Sequence, residues 1–393
     1  MPDLLAKTRI HFNFLRYFSP RMQYRFLTTI VCLSFFAMAH CQLTGDTGIH
    51  KNISPRRAYG FSVHSGAVLV HNHDVQSIEN AKPKGFSFDL SKQFIDSASY
   101  TYCRTYIRKG FTFSYYNLGT PILGKGYIVS YFLEPVYRIG SKLQFQFRGD
   151  MGAGYFSNPF ESVKNPLNNN YSLHITPYLH VSAGLGYHFT KKLVVQGNAN
   201  FNHMSNGNYK EPNAGLNWST FSASLLYYPD NNQLPKYNKP PRYKWSEKKP
   251  GLDIGLMFVP KQGYHRKWKT TRNYMVGMFA VAQKKVSRIS ALSAGAELYY
   301  NKFIDAPGVA ADNSKPSTLA GVYVGHEFLF NKIIFSQQYG RYITNYPAFF
   351  KSATYHRWGL RYRLNKHLYA GFNMKVHKFT ADFIDLRLQY KIF

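Results

Sequence analysis

Apolar and polar residues alternate with a period of two along most of this chain, and that period limits what it can fold into. Between Leu193 and Asn202, for example, Leu193, Val195, Gly197, Ala199 and Phe201 alternate with Val194, Gln196, Asn198, Asn200 and Asn202. Successive side chains of a strand point to opposite faces, so such a segment has one apolar face and one polar face. Segments of this kind, about 9 to 18 residues long, recur near 60–72, 85–94, 108–119, 125–140, 142–156, 172–189, 192–204 and 216–228. Eight more follow near 251–260, 272–285, 287–302, 318–330, 332–344, 354–364, 367–376 and 380–393. No apolar run long enough for a helical membrane span follows residue 41, while the chain carries 32 Tyr, 32 Phe and 29 Gly. The expected fold class is all-β and antiparallel, with about 16 strands.

The N-terminus reads as an export signal. Arg21 and Arg25 flank Met22, and Phe26 to Ala39 is an apolar run of 14 residues ending in small side chains. That is too short to span a membrane and suits a signal peptide cleaved after Ala39 or after Cys41. His40 ahead of Cys41 argues against a lipoprotein reading. Of the 3 cysteines, Cys32 and Cys41 fall in the signal region, which leaves Cys103 and no disulfide framework. His71, His73 and Asp74 read as a polar loop tip, and no His-Glu-x-x-His motif occurs, so neither a metal nor a cofactor is expected.

Connections sort by length. Tight turns at Gly140-Ser141, Lys191-Lys192, Val286-Ser287, Asn331-Lys332 and Asn365-Lys366 alternate with longer loops at 157–171, 205–215, 261–271, 303–317 and 345–353. Short turns on one side and long loops on the other are the pattern of a transmembrane outer-membrane β-barrel, the closed form in which strands cross lipid with every backbone group paired. With the N-terminus on the inner side, the seventh strand runs outward and the 205–215 loop lies on the outer side. Asp230 to Pro250 is rich in proline and charge, cannot be a barrel strand and falls on the inner, short-turn side. It is either a linker between two small barrels or one long connection within a barrel of about 16 strands. The expected organisation is an N-terminal extension and signal peptide at 1–41, a barrel unit at 42–229, the Pro-rich linker at 230–250 and further barrel strands at 251–393.

The stretch that carries candidate chemistry is Phe201 to Asn217, FNHMSNGNYKEPNAGLN. His203 and Ser205 are two apart and share the apolar face of their strand, where an imidazole next to a hydroxyl is the minimum a serine esterase needs. Asn217 falls in register with Ser219, Phe221, Ala223, Leu225 and Tyr227, so three polar groups gather at one end of two apolar faces. Asn206-Gly207 between alternating runs is also a plain hairpin signal, and Ser, Asn and Pro are ordinary loop residues.

The same stretch resembles the signature of the outer-membrane lipid A deacylase (PagL-like) family, a His-x-Ser-Asn motif followed by Pro-Asn-x-Gly, here His203 to Asn206 and Pro212 to Gly215. The likeness covers about 60–229 and favours a self-contained eight-stranded unit for the first half. It implies an esterase acting on an acyl ester of lipid A, with Ser205 as nucleophile, His203 as base, and Asn206 and Gly207 as oxyanion donors. Asn217 stands where the family pattern has a glutamate. An amide can hold the imidazole and its tautomer but cannot offset the charge of an imidazolium. Glu211, in the same loop, is a candidate for the missing charge. The other reading is a non-catalytic barrel that binds, transports or only supports.

Lys and Arg number 49 against 19 Asp and Glu, a formal net charge of +30. An exported barrel does not meet nucleic acid, so the acidic partner this charge suits is the phosphates of lipopolysaccharide, within outer-membrane lipid. His265, Arg266, Lys267, Lys269 and Arg272 are a candidate contact, or simply a solvated loop.

Overall fold

A computed structural model describes residues 53–393 apart from 71–72, 208, 231–233, 236, 239–243, 245–246, 266–267, 302–317, 331, 345–351 and 378–379. The signal segment with Cys32 and Cys41, and His71, lie outside the described residues. So do Arg266 and Lys267 of the basic cluster and the side chains of His265, Lys269 and Arg272.

The chain forms sixteen strands in two closed barrels of eight. The first contains β1 (Arg56–Val68), β2 (Lys84–Phe94), β3 (Tyr106–Asn117), β4 (Lys125–Ile139), β5 (Leu143–Phe156), β6 (Ile175–His188), β7 (Leu193–Met204) and β8 (Leu216–Tyr227). The second contains β9 (Gly251–His265), β10 (Trp268–Lys285), β11 (Ser290–Asn301), β12 (Thr318–Phe330), β13 (Ile333–Tyr342), β14 (Thr354–Arg363), β15 (Leu368–His377) and β16 (Thr380–Lys391). Each strand pairs antiparallel with its sequence neighbours. β8 closes on β1 with Tyr227 opposite Tyr59, and β16 closes on β9 with Leu388 opposite Leu256. One barrel of sixteen strands is thereby ruled out.

The period-two pattern is realised as a lipid-facing belt around a polar interior. Phe88, Leu90, Phe111, Tyr127 and Val129 of the first barrel, and Leu256, Met278, Val324 and Leu386 of the second, are exposed. In lipid that exposure carries none of the cost of about 25 cal/mol per Å² that water would impose. Inside the first barrel Arg108 bonds Asp89 at 3.0 Å and Glu134 at 2.7 Å, while Arg148 bonds Asp89 and Asp150, each at 2.7 Å. The second barrel is filled the same way, with Arg357 on Asp385 at 2.6 Å, Lys375 on Glu297 at 3.1 Å and Arg361 on Glu327 at 2.7 Å. Buried charges persist only when paired, and among the described residues these pairs occupy both interiors.

Three features depart from the sequence reading. The expected loop at 261–271 is largely strand, since β9 runs to His265 and β10 starts at Trp268, with Thr271 opposite Gly263. A 3-10 turn (His73–Ile78) and a short helix α1 (Ser97–Cys103) occupy the β1–β2 and β2–β3 connections. α1 starts where the Asp96 carboxylate accepts from the Ser99 N–H at 2.8 Å and stops at Arg104 in the left-handed region. The 3-10 turn supplies Val75 and Ile78 to a cap of buried side chains that includes Tyr116, Leu123, Phe156, Tyr171, Met204 and Trp218. That cap seals the long-loop end of the first barrel and gives the 205–215 loop a floor.

Candidate functional site

The site is built where β7 passes into its loop. Val194, Gln196, Asn200, Asn202 and Met204 of β7 are buried in the barrel interior, so the intervening positions, His203 among them, face outward. His203 lies directly opposite Asn217 of β8 in the ladder. Its Nδ1 is 2.6 Å from Asn217 Oδ1. An amide oxygen can only accept, so Nδ1 carries the proton and Nε2 keeps its lone pair.

Ser205 follows the strand by one residue and is buried, its N–H donating to the Pro177 carbonyl at 3.3 Å. Its Oγ accepts from Asn213 Nδ2 at 2.8 Å and from the Gly207 N–H at 3.2 Å. Two donors on a hydroxyl oxygen leave its own O–H as the group free to donate outward. His203 and Ser205 both border Gly215, where a Cβ would sit 3.4 Å from His203 Cε1 and 3.6 Å from Ser205 Cβ. Gly215 has a φ of +78°, so both its space and its backbone suit glycine.

The loop is held by polar groups of the neighbouring 157–174 connection. The Ala214 N–H donates to the Asn169 carbonyl at 3.0 Å and the Gly215 N–H to the Asn170 carbonyl at 2.9 Å. Ser172 Oγ donates to the Lys210 carbonyl at 2.7 Å. The side-chain amide of Asn206 is committed to this support, donating to Ser172 Oγ at 3.3 Å and to the Lys210 carbonyl at 2.7 Å. Its backbone N–H donates to Asn213 Oδ1 at 3.0 Å. Asn213 is therefore a clamp, one end on the Asn206 backbone and the other on Ser205. Among the described residues, no group of three His, Cys, Asp or Glu side chains is placed to hold a metal ion.

Residues 87–225 match the family described as Lipid A 3-O-deacylase (PagL), and residues 252–393 match the one described as Acyloxyacyl hydrolase, C-terminal domain. The chain belongs to the PagL lipid A deacylase family. The match to this hydrolase family takes in more than two thirds of the chain and reaches the C-terminal half, for which residues 60–229 alone gave no account. No curated protein sequence matches the chain. Among solved structures, it is similar to Neisserial surface protein A at 12% identity, covering 44% of this chain and 96% of that one, with a TM-score of 0.32. It is also similar to the translocator domain of the autotransporter NalP from Neisseria meningitidis at 10% identity, covering 94% of each chain, with a TM-score of 0.20.

Within this PagL-family chain, the structure brings together His203, Asn217, Ser205 and Gly207, and sets the Asn206 side chain to one side. Sequence reasoning gave no role to Asn213. Its signal was the Pro-Asn-x-Gly half of the signature, whose eight-residue separation from Ser205 hides the contact until the loop turns back.

Proposed function

We propose that this protein is an outer-membrane esterase that hydrolyses an acyl ester of lipid A, with Ser205 as nucleophile and His203 as base. The observation that carries the reading is the bond from His203 Nδ1 to Asn217, which puts the proton on Nδ1 and makes Nε2 the basic nitrogen of the ring, with a serine in the adjoining loop whose Oγ accepts from two donors. Ser205 gives its proton to Nε2 as Oγ bonds to the ester carbonyl carbon. The oxyanion forms on the carbonyl next to Oγ, within reach of the Gly207 N–H and the Asn213 amide, which donate to Oγ in the resting site and turn to the oxyanion as it develops. The intermediate breaks its bond to the sugar oxygen, which takes the proton from Nε2, and water repeats the sequence to release the fatty acid. Asn206 acts through the loop it anchors. Asn217 orients the imidazole without neutralising it.

The substrate reading follows from the same placement. A histidine on the outward face, with a serine buried in the loop that follows it at the long-loop end, suits a substrate that enters from the outer leaflet, and the +30 chain suits a phosphorylated glycolipid. Mass spectrometry of lipid A from cells expressing the protein or its Ser205→Ala variant tests this directly. Loss of one acyl chain only with the wild type is expected. The absence of a carboxylate at 217 favours one other reading, a barrel of this family that binds lipid A without cleaving it. Intact lipid A in both samples would select that reading.

A further inference from the structure

On β16 the outward side chains Leu386, Leu388 and Tyr390 are 53%, 50% and 50% exposed. Ile384 shares their face yet is half-buried. Against it lies the β7–β8 loop of the other barrel. A Cβ on Gly207 would fall 2.4 Å from Ile384 Cγ1 and Cδ1, so only a residue without one lets the two surfaces meet. Gly207 has a φ of +62° and its N–H is one of the two donors on Ser205 Oγ.

The contact does not stand alone. At the short-turn end, Cys103 of α1 and Ile107 of β3 pack with Ile289 of the β10–β11 turn, which is 2% exposed. The linker is tied to the first barrel there as well. Tyr237 Oη donates to the Ile95 carbonyl at 2.8 Å, the Tyr106 hydroxyl donates to the Pro235 carbonyl, and Arg57 pairs with Asp230 at 3.0 Å. The barrels thus touch at both ends while the apolar belts between remain exposed.

We infer that the second barrel completes the site of the first: Ile384 is a positioning residue that seats the Gly207 backbone and forms one wall of the cleft through which a fatty acyl chain reaches Ser205. The inference rests on the esterase reading and adds to it. The Gly207 N–H holds its aim at Ser205 Oγ only while its loop is backed, and the loop has Asn169, Asn170 and Ser172 behind it on one side and Ile384 on the other. Misplacing a catalytic donor by about 1 Å costs on the order of 100-fold in rate. An aliphatic wall at that point also limits the volume open to the chain being cleaved.

The test uses full-length protein in outer-membrane vesicles with lipopolysaccharide carrying acyl chains of several lengths. Ile384→Ala is expected to lower kcat about tenfold or more and to shift the released fatty acids towards longer chains. Ile384→Val should restore most of the rate, and Leu388→Ala, on the same face but away from the loop, should change neither quantity. Unchanged kcat and chain-length profile in Ile384→Ala, with an active wild type, overturns the inference and leaves the esterase reading intact. A wild type that releases no fatty acid overturns the esterase reading. The contact itself is read separately by an Ile384→benzoylphenylalanine variant, whose photocrosslink should map to the 205–215 peptide. Crosslinks to lipid alone overturn the placement whatever the activity.

Discussion

The two barrels are built alike through the membrane and part company at the end of their seventh strands. β7 has histidine as its penultimate residue and β15 has histidine as its last, so His203 turns outward and His377 turns inward. His203 meets Asn217 on the lipid side, whereas His377 is 6% exposed inside its barrel with Nε2 3.0 Å from the Tyr342 hydroxyl. After β7 the chain opens into the 205–215 loop. β15 ends at His377 and β16 starts at Thr380, its partner in the ladder. A single step of strand parity separates an outward histidine at the start of a loop from an inward one packed in the barrel. The paired charges fill both barrels, and the chemistry proposed for this chain falls on one hairpin of one of them.

Breaking the difference at its centre has the largest expected effect. Ser205→Ala and His203→Ala should each lower fatty-acid release from lipopolysaccharide by about a thousandfold or more, with the heat-modifiable gel shift of the folded barrel retained. His377→Ala, the counterpart in the second barrel, should leave the rate unchanged. Release that survives in Ser205→Ala would remove the nucleophile from that position.

Asn213→Ala comes next, at about 100- to 1000-fold in kcat, because it removes one of two donors on Ser205 Oγ. Asn206→Ala should act by a different route. Loss of its two bonds to Ser172 and Lys210 loosens the loop, so its defect should grow with temperature, as read by activity between 20 °C and 45 °C, temperatures chosen at about the span of mesophile stability.

The interiors offer a contrast in stability rather than rate. Arg357→Met leaves Glu297 and Asp385 short of a cation, and should cost about 3–5 kcal/mol in the second barrel, read as a lower temperature for loss of the compact gel band. Arg108→Met should do the same in the first barrel by stranding Glu134 and leaving Asp89 with Arg148 alone of its two cations. Planar-bilayer recordings of the wild type should show no stable pore, since paired charged side chains reach across both eight-stranded interiors.

The smallest effect expected, and the sharpest in meaning, is Asn217→Glu. A carboxylate on Nδ1 would stabilise the imidazolium that an amide can only orient, so the rate should hold or rise within about tenfold, provided the longer side chain keeps the bond. A large loss of activity would mean that the Asn217 position tolerates only the amide. That would count against the orienting role.

Much of this contrast was readable in the chain. Alternation placed all sixteen strands, and the parity of Val195 and Phe201 put His203 on the outward face, because strand period is a local property. Closure was not readable in the alternation itself, and only the likeness over 60–229 favoured a self-contained first unit, which the closed eight-stranded barrel bears out. The free edge of β8 can bond β1 or β9 equally well as far as backbone groups are concerned, and only the pairing of Tyr59 with Tyr227 decides for two barrels. Nor was the extension of β9 to His265, since Lys261 to Arg272 reads as a polar, basic loop and the pairing that makes it strand lies across the hairpin. Asn213 and Ile384 were hidden for a related reason. Each acts across a fold-back, one within a loop and one between barrels, and neither leaves a periodic mark.

The seam that closes the first barrel has a bearing on when its chemistry can begin. Val68 of β1 pairs with Trp218 of β8, and the Leu69 N–H donates to the Asn217 carbonyl at 2.8 Å. The residue that orients His203 is therefore itself stitched to the first strand of the barrel, about 150 positions earlier in the chain. A partly inserted sheet, with its first and last strands still apart, has the His203 and Ser205 side chains but not the frame that aims them. On the esterase reading, the frame that aims His203 is complete only once the first and last strands of the barrel have paired.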